Sequence, residues 1–140
     1  MVAARAAVFV DSGAWIALFR ARDDHHPEAD RLFRRAVAER TPLLTTNLVL
    51  AEVHRFLLHR AGIQAAAVAL DRISSSRHVK TIFARAEHDR VAREWLARFK
   101  DQRITYTDAV SFAVMKAEGL RGAMTFDHDF AVAGFSPWRN

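Results

Sequence analysis

Four acids, Asp11, Glu52, Asp108 and Asp127, are the residues whose types and spacing point to chemistry. Each has an ordinary explanation when taken singly. Asp11 could cap a helix opening at Ser12, and Glu52 could pair with Arg55 one turn on. Asp108 suits the first turn of a helix, and Asp127 suits a turn. Those explanations leave one regularity unexplained, which is that each acid falls just after an apolar strand-like run or at the start of the helix that follows. In a parallel sheet these places share one rim. Carboxylates gathered there repel one another unless they are protonated or bridged by cations. An all-oxygen ligand set suits Mg²⁺ or Mn²⁺ rather than zinc, and such ions in an acidic pit suit hydrolysis of a phosphodiester.

The elements that must position these acids can be read from hydrophobic periodicity. Val8-Phe9-Val10 closes a continuous apolar run, as expected of a strand buried on both faces. Ser12-Gly13 opens a helix to about Phe19. Pro27 starts another, with Ala29, Leu32, Phe33, Ala36 and Val37 on its stripe. Pro42–Thr45 reads as a second strand. Leu48 to about Arg60 reads as a helix stopped by Gly62. Ile63, Ala67, Leu70 and Ile73 form the next stripe, and Val79–Phe83 is a third strand. A helix follows through Val91, Trp95 and Phe99 to about Lys100, and Asp108–Glu118 is a largely apolar helix. Ala123–Phe126 is a fourth strand, with a fifth, shorter one at Phe135. Strands alternating with helices predict an α/β chain with a central parallel sheet covered on both faces.

Length and composition agree. The chain has 140 residues, 51% of them hydrophobic and 26% charged, with a mean hydropathy of −0.07. These values describe a packed globule, expected to be one domain over 1–140, and exclude a disordered or collagen-like chain. With no cysteine there can be no disulfide, thiolate zinc site or cysteine nucleophile. The longest charge-free stretch, Thr41–Ala51, falls well short of the ~20 residues of a membrane span. The apolar run ending at Asp11 is too short for a signal peptide, so a cytoplasmic location without membrane attachment is expected. The net charge is +5, and only three of the 21 basic residues are lysine. Arginine's planar fork suits phosphate, so a basic body around an acidic pit suits a nucleic-acid substrate.

Four stretches together resemble the PIN domain, specifically VapC-type toxin ribonucleases. They are Val8-Phe9-Val10-Asp11-Ser12-Gly13, Thr45-Thr46-Asn47-Leu48-Val49-Leu50-Ala51-Glu52, Tyr106-Thr107-Asp108-Ala109-Val110-Ser111-Phe112-Ala113-Val114-Met115, and Thr125-Phe126-Asp127-His128-Asp129-Phe130. Any one alone is common; the ordered set is specific and spans nearly the whole chain. The resemblance implies a three-layer α/β/α sandwich and two-fold homodimers. It implies Mg²⁺- or Mn²⁺-dependent endonucleolytic cleavage of RNA, with Asp11, Glu52, Asp108 and Asp127 as catalytic metal ligands. It also implies a cognate VapB-type antitoxin whose C-terminal segment blocks the pit. Hydrolysis by metal-activated water would leave 5′-phosphate and 3′-hydroxyl ends.

Several residues remain open at this stage. Asp129 is a secondary or alternative ligand beside Asp127, and Thr107 and Ser12 could orient ligands or water, although both also suit helix capping. His25-His26 reads as a solvated loop, and His54 and His59 are five apart on a helix and cannot share a metal. Trp15, Trp95 and Phe99 belong to the core. Arg31, Arg34, Arg35, Arg90, Arg93 and Arg98 lie opposite the apolar stripes. The alternative from another class is a catalytically silent PIN-like module that binds nucleic acid or regulates. Metal-independent RNA affinity without cleavage would identify it.

Overall fold

The computed structural model describes residues 6–139. Val8-Phe9-Val10 forms the central strand β1 (Val8–Val10), whose three side chains are all buried. Such a strand carries no polar alternation because both faces are covered. Its neighbours are β2 (Leu43–Thr46) and β4 (Gly122–Met124), both parallel to it. β3 (Val79–Ile82) and a short β5 (Ser136–Pro137) complete a five-stranded parallel sheet of order β3-β2-β1-β4-β5. Phe9 pairs in register with Leu44 on one side and Ala123 on the other, and Val10 pairs with Met124.

That order reverses at β1. Strands β1 to β3 are laid outward in one direction, and β4 then returns to the opposite side of β1. Right-handed crossovers put successive helices on opposite faces when the direction reverses. Accordingly α1 (Ser12–Phe19), α2 (His26–Ala38), α3 (Asn47–Ala61) and α4 (Ile63–Ser75) pack with one another, while α5 (Ala86–Arg98) packs on α6 (Tyr106–Ala117). A four-residue α7 (Asp129–Val132) precedes β5 and touches α6. The gap opened beside β1 at the carboxyl ends of β1 and β4 is the topological switch point, where ligands of open α/β sheets bind.

The α6 layer is deeply buried. Asp108 through Met115 are all buried, so this helix is covered on every side. Phe112 meets Phe130 edge-on at 5.0 Å and 87°, and Trp95 edge-on at 5.4 Å and 65°. Phe130 in turn stacks on Phe9, which ties α7 and α6 to the central strand. On the other face Trp15 lies 5.0 Å from Phe33 and donates its indole N–H to Thr45 Oγ1 at 3.3 Å.

The elements expected from sequence are present, with displaced edges. β4 starts at Gly122 and stops at Met124, so Thr125 and Phe126 separate it from Asp127. The fifth strand is Ser136–Pro137, just beyond Phe135. Val37 is exposed, because the stripe Ala29, Leu32, Phe33 and Ala36 already fills the buried face of α2. Ala67 is likewise outside the core, where Ala66, Ala69 and Ile73 carry the contact. Trp15 and Trp95 are buried core residues, and Phe99, partly buried, stacks on Trp95 at the edge of that core. No helix among the described residues is long and apolar enough to cross a membrane.

Candidate metal centre at the switch point

Asp11 enters the site because β1 ends one residue before it. The register Val10↔Met124 sets Asp11 level with Thr125 across the β1–β4 seam. The Asp11 amide donates to the Met124 carbonyl at 3.0 Å, continuing the ladder. Its carboxylate is held at both oxygens: the Ser12 amide donates to Oδ1 at 2.8 Å, and the Thr125 hydroxyl donates to Oδ2 at 3.1 Å. Asp11 thus caps α1 and faces the switch point at once.

Asp108 enters from the first turn of α6. Thr105 is the N-cap, and the two residues form a reciprocal capping box: Thr105 Oγ1 accepts from the Asp108 amide at 3.1 Å, and Asp108 Oδ2 accepts from the Thr105 amide at 3.4 Å. The cap therefore fixes the side chain's rotation. Asp127 follows β4 after a two-residue turn. Its amide donates to Thr125 Oγ1 at 3.0 Å, and its Oδ1 accepts from the Asp129 amide at 2.9 Å. Thr125 is consequently a single hydroxyl that orients Asp11 and the backbone of Asp127.

One oxygen from each of Asp11, Asp108 and Asp127 lies within 4.8 Å of the others. Two of the three are buried, and the electrostatics show the strain of that arrangement. Asp11 has its pKa pushed up to about 7, first by burial and then by the charge of Asp108, with the hydrogen bonds from Ser12 and Thr125 opposing the rise. Asp108 is raised to about 6, again by burial first and then by Asp127, with Glu52 adding to it. A site that holds its carboxylates at such cost in water is completed by positive charge. Three oxygen donors without nitrogen or sulfur fit a hard divalent cation.

The other residues singled out by sequence fall around this trio. Glu52, the sixth residue of α3, is outside the three-acid group, although its charge is felt at Asp108. Asp129 opens α7 and turns its amide toward Asp127; its own pKa is raised by burial and by the Asp127 charge. Ser12 and Thr107 are not the caps: Asp11 caps α1 and Thr105 caps α6. Ser12 contributes its backbone amide to Asp11, and Thr107 contributes its carbonyl to the Ser111 hydroxyl at 2.9 Å. Thr125 and Thr105 were missed by sequence reasoning. The Thr-x-x-Asp spacing of a capping box was the available signal for Thr105, whereas nothing local marks Thr125.

The histidine loop also differs from the solvated one expected. His26 opens α2 with its Nδ1 2.6 Å from the Ala17 carbonyl, and His25 stacks on Phe126 at 4.1 Å and 7°. The arginines opposite the apolar stripes are partly engaged: Arg34 with Asp30, Arg35 with Glu39, Arg93 with Asp89, and Arg98 over the Trp95 ring.

Comparison with known proteins places this geometry. A family model described as the PIN domain matches residues 8–136. The 23S rRNA-specific endonuclease VapC20 of Mycobacterium tuberculosis (strain CDC 1551 / Oshkosh) is 38% identical over 133 residues, covering 91% of this chain and 95% of that protein. A crystal structure of Mycobacterium tuberculosis VapC20, described as a sarcin-ricin loop cleaving toxin, superposes with a TM-score of 0.85 at 37% identity, covering 96% of this chain and all of that one. VapBC2 from Rickettsia felis, solved with a DNA fragment from its promoter, shares the fold with a TM-score of 0.67 at 16% identity, covering 94% of this chain and 98% of that one. Since the likeness runs from the first strand to the last, in sequence as well as in shape, this chain belongs to the PIN-domain family and stands with its VapC-type members.

Proposed function

We propose that this protein is a divalent-metal-dependent endoribonuclease and the toxin of a toxin–antitoxin pair. The observation that carries this reading is the convergence of Asp11, Asp108 and Asp127 within 4.8 Å at the switch point. Asp11, Asp108 and Asp127 would hold Mg²⁺ or Mn²⁺, with Glu52 acting on it from the flank. When bound, such an ion neutralises the scissile phosphate and lowers the pKa of the attacking water. The chain's own residues do the positioning. Thr125 and the Ser12 amide fix Asp11, Thr105 fixes Asp108, and the Asp129 amide fixes Asp127. On this reading Asp127 is the ligand, and Asp129 supports it.

Attack by water with the 3′ oxygen as the leaving group gives products with 5′-phosphate and 3′-hydroxyl ends. The identity shared with VapC20 supports 23S rRNA, and the sarcin-ricin loop within it, as the substrate. A VapB-type antitoxin, a homodimeric assembly and a cytoplasmic location complete the proposal. The test is cleavage of 23S rRNA by the purified protein, its Asp11→Asn variant and its Asp108→Asn variant, each with Mg²⁺, with Mn²⁺ and with chelator. Discrete fragments that require metal and vanish in both variants are expected. Metal-independent RNA binding without cleavage would replace the nuclease by a silent binding module.

A further inference from the structure

Beside the acids lies a planar surface that the three-acid group does not use. His25 is exposed in the loop between α1 and α2, and its ring lies face to face on Phe126 with centroids 4.1 Å apart and planes within 7°. Phe126 is the residue immediately before Asp127, so this stack is one residue along the chain from the metal centre. The loop is tied rather than loose. Asp23 Oδ1 accepts from the His25 amide at 2.9 Å, the Asp23 carbonyl accepts from the His26 amide at 3.0 Å, and the His26 ring lies 2.6 Å from the Ala17 carbonyl. The His25 carbonyl also accepts from the Ala29 amide at 2.9 Å, in the first turn of α2.

These bonds fix the backbone on either side of His25, and the face-to-face contact with Phe126 sets the plane of its ring. One face of the His25 ring lies on Phe126, and the residue is nonetheless exposed. That is the arrangement of a base-stacking platform, in which single-stranded bases splay onto aromatic or histidine rings. A second set of planar groups lies beside Glu52. Phe56 lies one helical turn beyond Glu52, and the guanidinium groups of Arg20 and Arg60 sit 5.8 and 5.5 Å from its ring centre. Arg20 begins the same loop that presents His25.

We propose that the His25 ring, backed by Phe126, stacks an unpaired base of the RNA next to the scissile phosphate and so sets where cleavage falls. This rests on the ribonuclease reading and deepens it by naming the substrate feature recognised: an unpaired nucleotide rather than a paired one.

The experiment separates the two readings. In the Asp11→Asn background, affinity is measured for a short single-stranded RNA and for copies carrying one abasic nucleotide at each position in turn. His25→Ala is expected to weaken the intact RNA about tenfold, and His25→Phe to restore it to within about twofold. One abasic position should cost the parent the same factor and cost His25→Ala nothing further. Equal affinities for all three proteins, or an abasic penalty that His25→Ala leaves unchanged, would overturn the platform. Cleavage is followed in parallel in the Asp11 parent and its own His25→Ala variant, where KM rises and kcat is less affected. An active parent whose KM and cleavage position ignore His25→Ala also overturns the platform while sparing the nuclease. The binding pattern appearing in a chain that never cleaves overturns the nuclease while sparing the platform.

Discussion

The Thr125 hydroxyl donates to Asp11 across 114 residues of sequence, closing the seam between β1 and β4 with a 3.1 Å bond. The same oxygen accepts from the Asp127 amide, so one side chain holds two of the three converging acids in register. Thr125→Val keeps the shape and removes both bonds. Cleavage is expected to fall about 10- to 100-fold, the usual cost of losing a group that orients a ligand. Asp11 would also titrate above its present value of about 7, since a hydrogen bond to the charged form is gone. Mn²⁺ titration across pH checks both effects.

Burial and mutual repulsion raise Asp11 and Asp108 above their unfolded pKa values. A raised pKa means the folded state holds its proton longer. The associated stability is therefore complete below about pH 4 and is lost as pH rises through about 6 and 7. The metal-free protein should melt at a lower temperature at pH 8 than at pH 5. Mg²⁺ should raise Tm more at pH 8, where the carboxylates are free to bind it, by at least about 3 °C. Asp11→Asn should raise the metal-free Tm at pH 8 and abolish most of the Mg²⁺ effect. Scanning calorimetry at the two pH values, with and without Mg²⁺, decides the sign.

Cleavage at limiting Mg²⁺ should climb through the same window, because Asp11 and Asp108 must be ionised to hold the ion. Saturating Mn²⁺ should shift the rise to lower pH, as tighter binding displaces the protons. A rate flat from about pH 5 to 8 at limiting metal would contradict the roles proposed for both acids.

Glu52 stands apart from the trio, and its variant should separate from theirs. Asp108→Asn is expected to lower the rate by about 10³-fold or more, as loss of a direct ligand does, and Glu52→Gln by about 10- to 100-fold. Rates measured at saturating Mg²⁺ would rank the two variants. Equal losses at Glu52 and Asp108 would bring Glu52 into direct contact with the ion.

Phe112 anchors the middle of the helix that presents Asp108, one turn beyond it. It is fully buried and touches Phe130 and Trp95 edge-on. Phe112→Ala should cost about 3–5 kcal/mol in denaturant unfolding, and Phe112→Leu much less. An effect under about 1 kcal/mol for the alanine variant would mean that the aromatic cluster collapses freely around the hole.

The strands and the rim of acids were legible because burial on both faces leaves an unbroken apolar run such as Val8–Val10, and an acid at its end is conspicuous. What escaped was decided by non-local contacts. The Asp11 cap of α1 was readable in sequence, and the Thr105 cap of α6 is a local exception that the Thr-x-x-Asp spacing could have revealed. Thr125 looks like one more β-branched strand residue until Asp11 lies opposite it. His25 looks solvated in sequence because its partner, Phe126, is 101 residues away. β5 has only two residues, too few to carry any period.

The reversal of strand order at β1 also has a consequence in time. A chain is made from its amino end, so Asp11 emerges early, while β4, Thr125 and Asp127 emerge among the last twenty residues of the sequence. Until β4 docks, β1 has an open edge and Asp11 lacks both its hydroxyl donor and its acidic neighbours. The acidic centre is thus incomplete until β4 has been made and has docked beside β1.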